Sequence, residues 1–169
     1  MTNQPEQTLL QGFAPVINTA THTLILGSFP GEASLRSQQY YGFPQNQFWR
    51  LLSGVLEVNL VTLPYPERLQ TLLIHGIGLW DIFNACLRRG SLDSAIRQGE
   101  LNDFETLQIN YPQLRKLCFN GKTAGKMSLH FTRRGYTTLA LPSSSPAYAQ
   151  MRFEEKLEGW KHIIEIKSR

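Results

Sequence analysis

The apolar positions change period along the chain. Thr23-Leu24-Ile25-Leu26 is a short unbroken apolar run closed by Gly27, which reads as a buried strand. From Phe48 the period becomes helical: Phe48, Leu51, Leu52, Val55 and Leu56 share one face. A second helix fits residues 65–75 after Pro64, and Gly76 and Gly78 bracket a strand over 77–83. The stretch 84–113 is mixed. Ser91-Leu92-Asp93-Ser94 offers a helix start, and a helix from Asp103 to Tyr111 is stopped by Pro112. A strand over 114–119, the turn Asn120-Gly121, a basic helix over 122–133, a strand over 136–141 ended by Pro142, and an amphipathic helix over 153–166 complete the pattern. Residues 1–20 read as an entry helix or arm, and residues 28–46, with Gly and Pro at intervals, as a long loop. The stripe Met127-Leu129-Phe131, the face Trp160-Ile163-Ile164, and Trp80 read as core.

Strand and helix alternate four times, which predicts an α/β fold: a four-stranded parallel sheet with helices on both faces. Ligands of such sheets bind beyond the carboxyl ends of the strands. That rule selects four loops, at 27–46, 81–84, 120–121 and 142–149. The 169 residues correspond to a single domain over 1–169.

Composition narrows the class. Hydrophobic residues make up 41% and charged residues 18%, a globular balance rather than a disordered one. No apolar run approaches a bilayer span, and the polar start lacks a secretory pattern, so a soluble, intracellular, cytoplasmic protein is expected. Cys86 and Cys118 form no metal-binding spacing, and the four histidines are scattered, so no metal is expected. Residues 115–169 carry eleven Lys/Arg against four Asp/Glu, while residues 1–114 carry six against nine. A basic face on a mildly acidic body suits a polyanion, or is a solvated helix face.

Three of the selected loops hold unusual residues. Gly27-Ser28-Phe29-Pro30-Gly31 is neither a Walker loop nor a dinucleotide fingerprint, and alone it is an ordinary strand-to-loop turn. Residues 40–49, Tyr-Tyr-Gly-Phe-Pro-Gln-Asn-Gln-Phe-Trp, hold five aromatics. Phe48 and Trp49 belong to the core, whereas Tyr40, Tyr41 or Phe43 can line a pocket, an aromatic face suiting a flat base. Asn46 either caps the following helix or holds a water or base edge with its amide. Leu141-Pro142-Ser143-Ser144-Ser145-Pro146-Ala147 is a rigid polar loop that either grips phosphate or caps a helix.

Taken in order, these motifs resemble the uracil-DNA glycosylase superfamily, and within it the hypoxanthine-DNA (deoxyinosine) glycosylase branch. Gly78-Leu-Trp-Asp81, Gly90-Ser-Leu-Asp93, Asn102-Asp-Phe and Phe119-Asn-Gly121 add to the resemblance, which spans about residues 22–150. It implies a three-layer α/β/α sandwich around a four-stranded parallel sheet. It also implies hydrolysis of the N-glycosidic bond of a deaminated base in DNA, hypoxanthine first and uracil second.

The resemblance assigns roles by residue. Asn46 takes the catalytic, water-orienting role, because Phe29 stands where many relatives carry a polar residue. Gly27, Ser28, Phe29, Pro30, Gly31, Tyr41, Phe43 and Asp81 form the base pocket, with Tyr41 stacking on the flipped base. Asp81 is a rival for the water, or a cap for residues 84–90. Ser143, Ser144, Ser145 and Pro146 meet the DNA, where Leu141 replaces a polar residue of many relatives. The basic stretch offers Lys122, Lys126, Arg133 and Arg134 as a phosphate track. No lysine lies in the matched loops, so no lyase step is expected; nor is any cofactor. The partner is DNA, not a membrane, and the protein is expected to act as a monomer. A non-catalytic binder of damaged DNA would use the same aromatics and basic residues. A small-nucleotide hydrolase finds no acidic metal cluster in the sequence.

Overall fold

The computed structural model describes residues 8–165; residues 1–7 of the predicted arm and residue 166 of the last predicted helix lie outside them. The alternating pattern appears as a parallel sheet of β2 (Thr23–Gly27), β3 (Ile77–Asp81), β6 (Lys116–Asn120) and β7 (Thr137–Leu141), in the order β3-β2-β6-β7. The central strand β2 is buried along its whole length, as its unbroken apolar run requires.

Side-chain alternation divides the core into two layers. Ile25, Leu79, Cys118 and Leu141 face one side, where they meet α2 (Phe48–Leu56), α3 (Tyr65–Ile74) and α7 (Phe153–Trp160). Leu24, Leu26, Trp80, Leu117 and Phe119 face the other, against α4 (Phe104–Asn110), α5 (Lys122–Gly125) and α6 (Ser128–Thr132). This is the three-layer α/β/α sandwich. Each fully buried large apolar side chain contributes roughly 1.5–3 kcal/mol. Asp103 starts α4 by accepting the Thr106 N–H at 2.9 Å, a cap worth about 1 kcal/mol.

The structure differs from the sequence pattern in several places. The loop predicted over 28–46 contains a six-residue helix, α1 (Glu32–Ser37). The strand predicted over 77–83 ends at Asp81, and β4 (Phe83–Leu87) begins two residues later. β4 lies between β1 (Leu10–Gln11) and β5 (Arg97–Leu101) in a small antiparallel sheet that the pattern did not reveal. β5, Arg-Gln-Gly-Glu-Leu, is exposed throughout and so carries no apolar alternation. A Cβ at Gly99 would fall 2.6 Å from the Phe83 ring, so glycine lets the two strands approach. The entry segment is an arm, not a helix: Val16 bridges Leu79 and shields the open edge of β3. The basic helix over 122–133 is two short helices, and the last helix gives way at Trp160 to a 3₁₀ turn, Lys161–Ile164. Leu129 and Ile164, read as core, are exposed; Met127, Phe131, Trp80, Trp160 and Ile163 pack inward. No helix among the described residues is long and apolar enough to cross a membrane.

Candidate active site

Because the four strands of the main sheet are parallel and in register, their carboxyl ends share one edge. Gly27 lies beside Asp81, and Asn120 beside Leu141. The predicted loops therefore converge there.

Tyr41 stands at the centre of this edge. Its backbone is left-handed, with φ 54°, a conformation that costs a non-glycine residue roughly 1–3 kcal/mol and persists only where surroundings enforce it. The enforcement is visible. The ring stacks on Phe48 at 3.7 Å between centroids and 8° between planes, and its hydroxyl accepts from Asn120 Nδ2 at 3.3 Å. A Cβ at Gly27 would lie 2.8 Å from that hydroxyl and 2.7 Å from Asp81 Oδ1, so only glycine admits both groups. Burial, then the Asp81 charge, push the Tyr41 phenol well above its ordinary pKa. Tyr40, by contrast, is core: its hydroxyl donates to the Ala14 carbonyl at 2.7 Å.

Asp81 is 5% exposed, and its Oδ2 is a buried oxygen without a hydrogen-bond partner. Burial chiefly, and the nearby Asp93 charge, push its pKa up to about 7, with Arg88 opposing. The carboxyl makes no bond to residues 84–90, so it is not a cap for them; its backbone carbonyl instead accepts from Asn102 Nδ2 at 2.7 Å. A buried carboxyl with an unmet oxygen is costly, and such groups concentrate at functional sites.

Asn46 follows a turn in which its N–H donates to the Phe43 carbonyl at 3.0 Å. Its Oδ1 accepts the Phe48 N–H at 2.9 Å, so the residue does help start α2. That use consumes one Oδ1 lone pair and neither amide hydrogen. The next residue, Gln47, donates its N–H to the Ser144 carbonyl at 3.0 Å, which ties this turn to the serine loop.

The serine loop caps no helix: α7 begins only at Phe153, after Arg152. Ser144 is buried and held by Asn120, whose Oδ1 accepts the Ser144 N–H at 2.9 Å and whose Nδ2 donates to Ser144 Oγ at 2.8 Å. Ser143 Oγ accepts the Ser145 N–H, and Ser145 Oγ the Ala147 N–H, so the hydroxyls stiffen the loop from within. Pro146 is exposed beside them.

The loop from Gly27 to Gly31 is fastened to residues 88–93. Ser28 Oγ donates to Asp93 Oδ1 at 2.6 Å, and Arg88 donates to the Pro30 carbonyl at 2.6 Å. Gly31 faces Ser91, whose Oγ accepts the Glu32 N–H at 2.9 Å. Phe29 is buried, with the Arg88 guanidinium 5.3 Å from its ring centre. Phe43 is 44% exposed.

The basic residues do not form one track. Lys122 follows the carboxyl end of β6, with Lys126 one turn on. Arg133 and Arg134 precede β7, at the amino end of the sheet, away from the loops. All four are exposed. A cleft of about 400 Å³ between the arm and Tyr65 is lined by Tyr40, one of the three aromatics offered for a pocket, and by none of the residues at the carboxyl edge of the sheet. Gln47 and Arg88 join the site without any role read from the sequence, and Asn120 and Asp93 join it from motifs to which the sequence assigned no site role. An Asn-Gly pair directly after a strand was the available signal for Asn120.

A parallel sheet whose carboxyl edge gathers Tyr41, a buried carboxyl and a stiff serine loop has its unusual polar groups where α/β proteins of this class bind their ligands. The chain belongs to the uracil DNA glycosylase superfamily, whose pattern matches residues 14–165. It is 45% identical over 155 residues to a protein of Methanosarcina acetivorans named hypoxanthine DNA glycosylase, covering 91% of this chain and 97% of that one. A protein of the same name from Methanosarcina barkeri is 43% identical over 150 residues, covering 89% and 94%. The solution NMR structure of a proposed uracil DNA glycosylase from M. acetivorans superposes with a TM-score of 0.82 at 42% identity, over 92% of this chain and 99% of that chain.

Proposed function

We propose that the protein is a DNA glycosylase that hydrolyses the N-glycosidic bond of a deaminated base, hypoxanthine in the first place, and leaves an abasic site in an unbroken strand. The observation that carries this reading is the buried Asp81 carboxyl, whose Oδ1 lies beside Gly27 near the Tyr41 hydroxyl and whose Oδ2 has no hydrogen-bond partner, at the edge where a flipped base would enter. Deamination converts a ring nitrogen from acceptor to N–H donor: N1 in hypoxanthine, N3 in uracil. Above about pH 7, where Asp81 is ionised, it accepts from that N–H and repels the lone pair that adenine or cytosine presents there. The match to two relatives named hypoxanthine DNA glycosylase supports the purine. Because the same N–H exists in uracil, the Asp81 geometry also favours uracil as a second substrate.

The target base must leave the duplex, at a cost of a few kcal/mol that is least for a mispaired base. In the proposed mechanism Tyr41 forms one wall of the pocket, with Phe48 fixing its plane. The serine loop, Ser143 to Pro146, takes the DNA backbone, and Lys122 and Lys126 attract phosphates. The C1′–N bond breaks first, its electron pair leaving with the base. A water held by the free Oδ1 lone pair of Asn46 then adds to C1′, and the proton it loses is taken up by the departed base anion, which leaves as the neutral base. An amide suffices, since the water needs orientation rather than early deprotonation. No lysine amine is placed to form a Schiff base in this scheme.

Oligonucleotides with a single deoxyinosine, a single deoxyuridine or only normal bases test the reading, with abasic sites revealed by alkali. Release from the first, weaker release from the second and none from the third is expected. DNA binding without release from any would favour a non-catalytic binder.

A further inference from the structure

Lys156, on α7, is 1% exposed. A buried ammonium is normally paired with a carboxylate, because an unpaired charge away from water is expensive. Among the described residues Lys156 has no such partner: the ion pairs there are Arg152–Glu155, Lys161–Glu158 and His162–Glu165. Its Nζ donates instead to Gln47 Oε1 at 2.9 Å and to the Ser145 carbonyl at 3.4 Å, and lies 5.4 Å from the Tyr148 ring centre. These acceptors are neutral, and they belong to the two segments whose relative placement the chemistry needs. Gln47 adjoins Asn46; Ser145 is in the serine loop. The Gln47 N–H bond to the Ser144 carbonyl at 3.0 Å closes the same joint from the backbone.

We propose that Lys156 is a positioning residue that locks the Asn46 turn to the serine loop, and that its missing counter-charge is the DNA phosphate this loop receives. The inference rests on the glycosylase reading only for its catalytic half. A stabilising cross-link alone would be served by a neutral side chain at lower desolvation cost. An uncompensated cation behind an anion-binding loop is stabilised when the anion arrives.

The test uses the whole protein with Lys156→Met, which keeps length and removes charge, and Gln47→Met, which cuts the side-chain link between Lys156 and the Asn46 turn but keeps the charge. Two quantities are read: the single-turnover rate of base release at saturating deoxyinosine duplex, and the salt dependence of binding to a duplex with a tetrahydrofuran abasic analogue. Both variants should slow release by roughly 10- to 100-fold, the scale of misplacing a reacting group. Lys156→Met alone should also flatten the log K against log salt slope by about one. A folded Lys156→Met with wild-type rate and slope, differing only in melting temperature, overturns the proposal. Should Lys156→Met fail to fold, Gln47→Met decides: a wild-type release rate overturns the joint. A wild-type protein that releases no base overturns the glycosylase reading instead, and the salt slope of Lys156→Met still decides the role of the charge.

Discussion

At the scale of single residues, Asp81 and Gly27 carry the sharpest consequences. The Asp81 pKa of about 7 lies above the ordinary carboxylate value, so the native state holds a proton that the unfolded chain has released. Stability from this group is therefore present below about pH 4 and lost as pH rises towards 7. Asp81→Asn cannot ionise. Denaturation of both proteins from pH 4 to 8 should show the wild type losing on the order of a few kcal/mol relative to the variant. Parallel curves would mean that Asp81 is not the buried acid described here. Gly27→Ala places a methyl 2.7 Å from Asp81 Oδ1 and 2.8 Å from the Tyr41 hydroxyl. Such overpacking costs roughly 1–3 kcal/mol. The variant should melt lower and release base at least about ten-fold more slowly, since displacing either group disturbs the pocket geometry. An unchanged melting curve would remove the crowding on which the Gly27 role rests.

At the scale of elements, Asn120 joins β6 to the serine loop through both atoms of its amide. Asn120→Ala leaves the Ser144 N–H and hydroxyl unpaired, a loss of roughly 1–3 kcal/mol. Hydrogen exchange at the Ser144 amide should accelerate, and affinity for abasic-site DNA should fall; unchanged exchange would show the loop to be held by other contacts. Most of the main sheet was legible in the sequence because β2, β3 and β6 centre on short buried apolar runs, and α2 because Phe48, Leu51, Leu52 and Val55 bury one face. The antiparallel sheet was not. β5 is exposed along its length and β4 buries only Ala85 and Cys86 fully, so neither has a periodic signature. In the site, Gly27 and Ser144 were legible as unusual residues at or just past strand ends, and Tyr41 and Asn46 by the aromatic-rich stretch before α2. Lys156 was not, because nothing in an amphipathic helix distinguishes a lysine that turns inward.

At the scale of the molecule, the basic residues divide between two ends of the sheet. Lys122 follows the carboxyl end of β6, where the site lies, whereas Arg133 and Arg134 flank the amino end of β7. Lys122→Ala with Lys126→Ala should weaken DNA binding and reduce the salt slope by about two, at roughly 0.9 per phosphate contact. Arg133→Ala with Arg134→Ala should leave both nearly unchanged. The reverse would place DNA on the opposite end of the sheet and contradict the site. All these parts serve one claim, that this edge releases a deaminated base with a water oriented by Asn46. The direct measurement is single-turnover base release from a deoxyinosine duplex by wild type and by Asn46→Ala, with binding of both proteins checked on the abasic analogue. Release by the wild type is expected, with a loss of roughly ten- to a thousand-fold in the variant and affinity largely kept. Release at the wild-type rate by Asn46→Ala would contradict the claim.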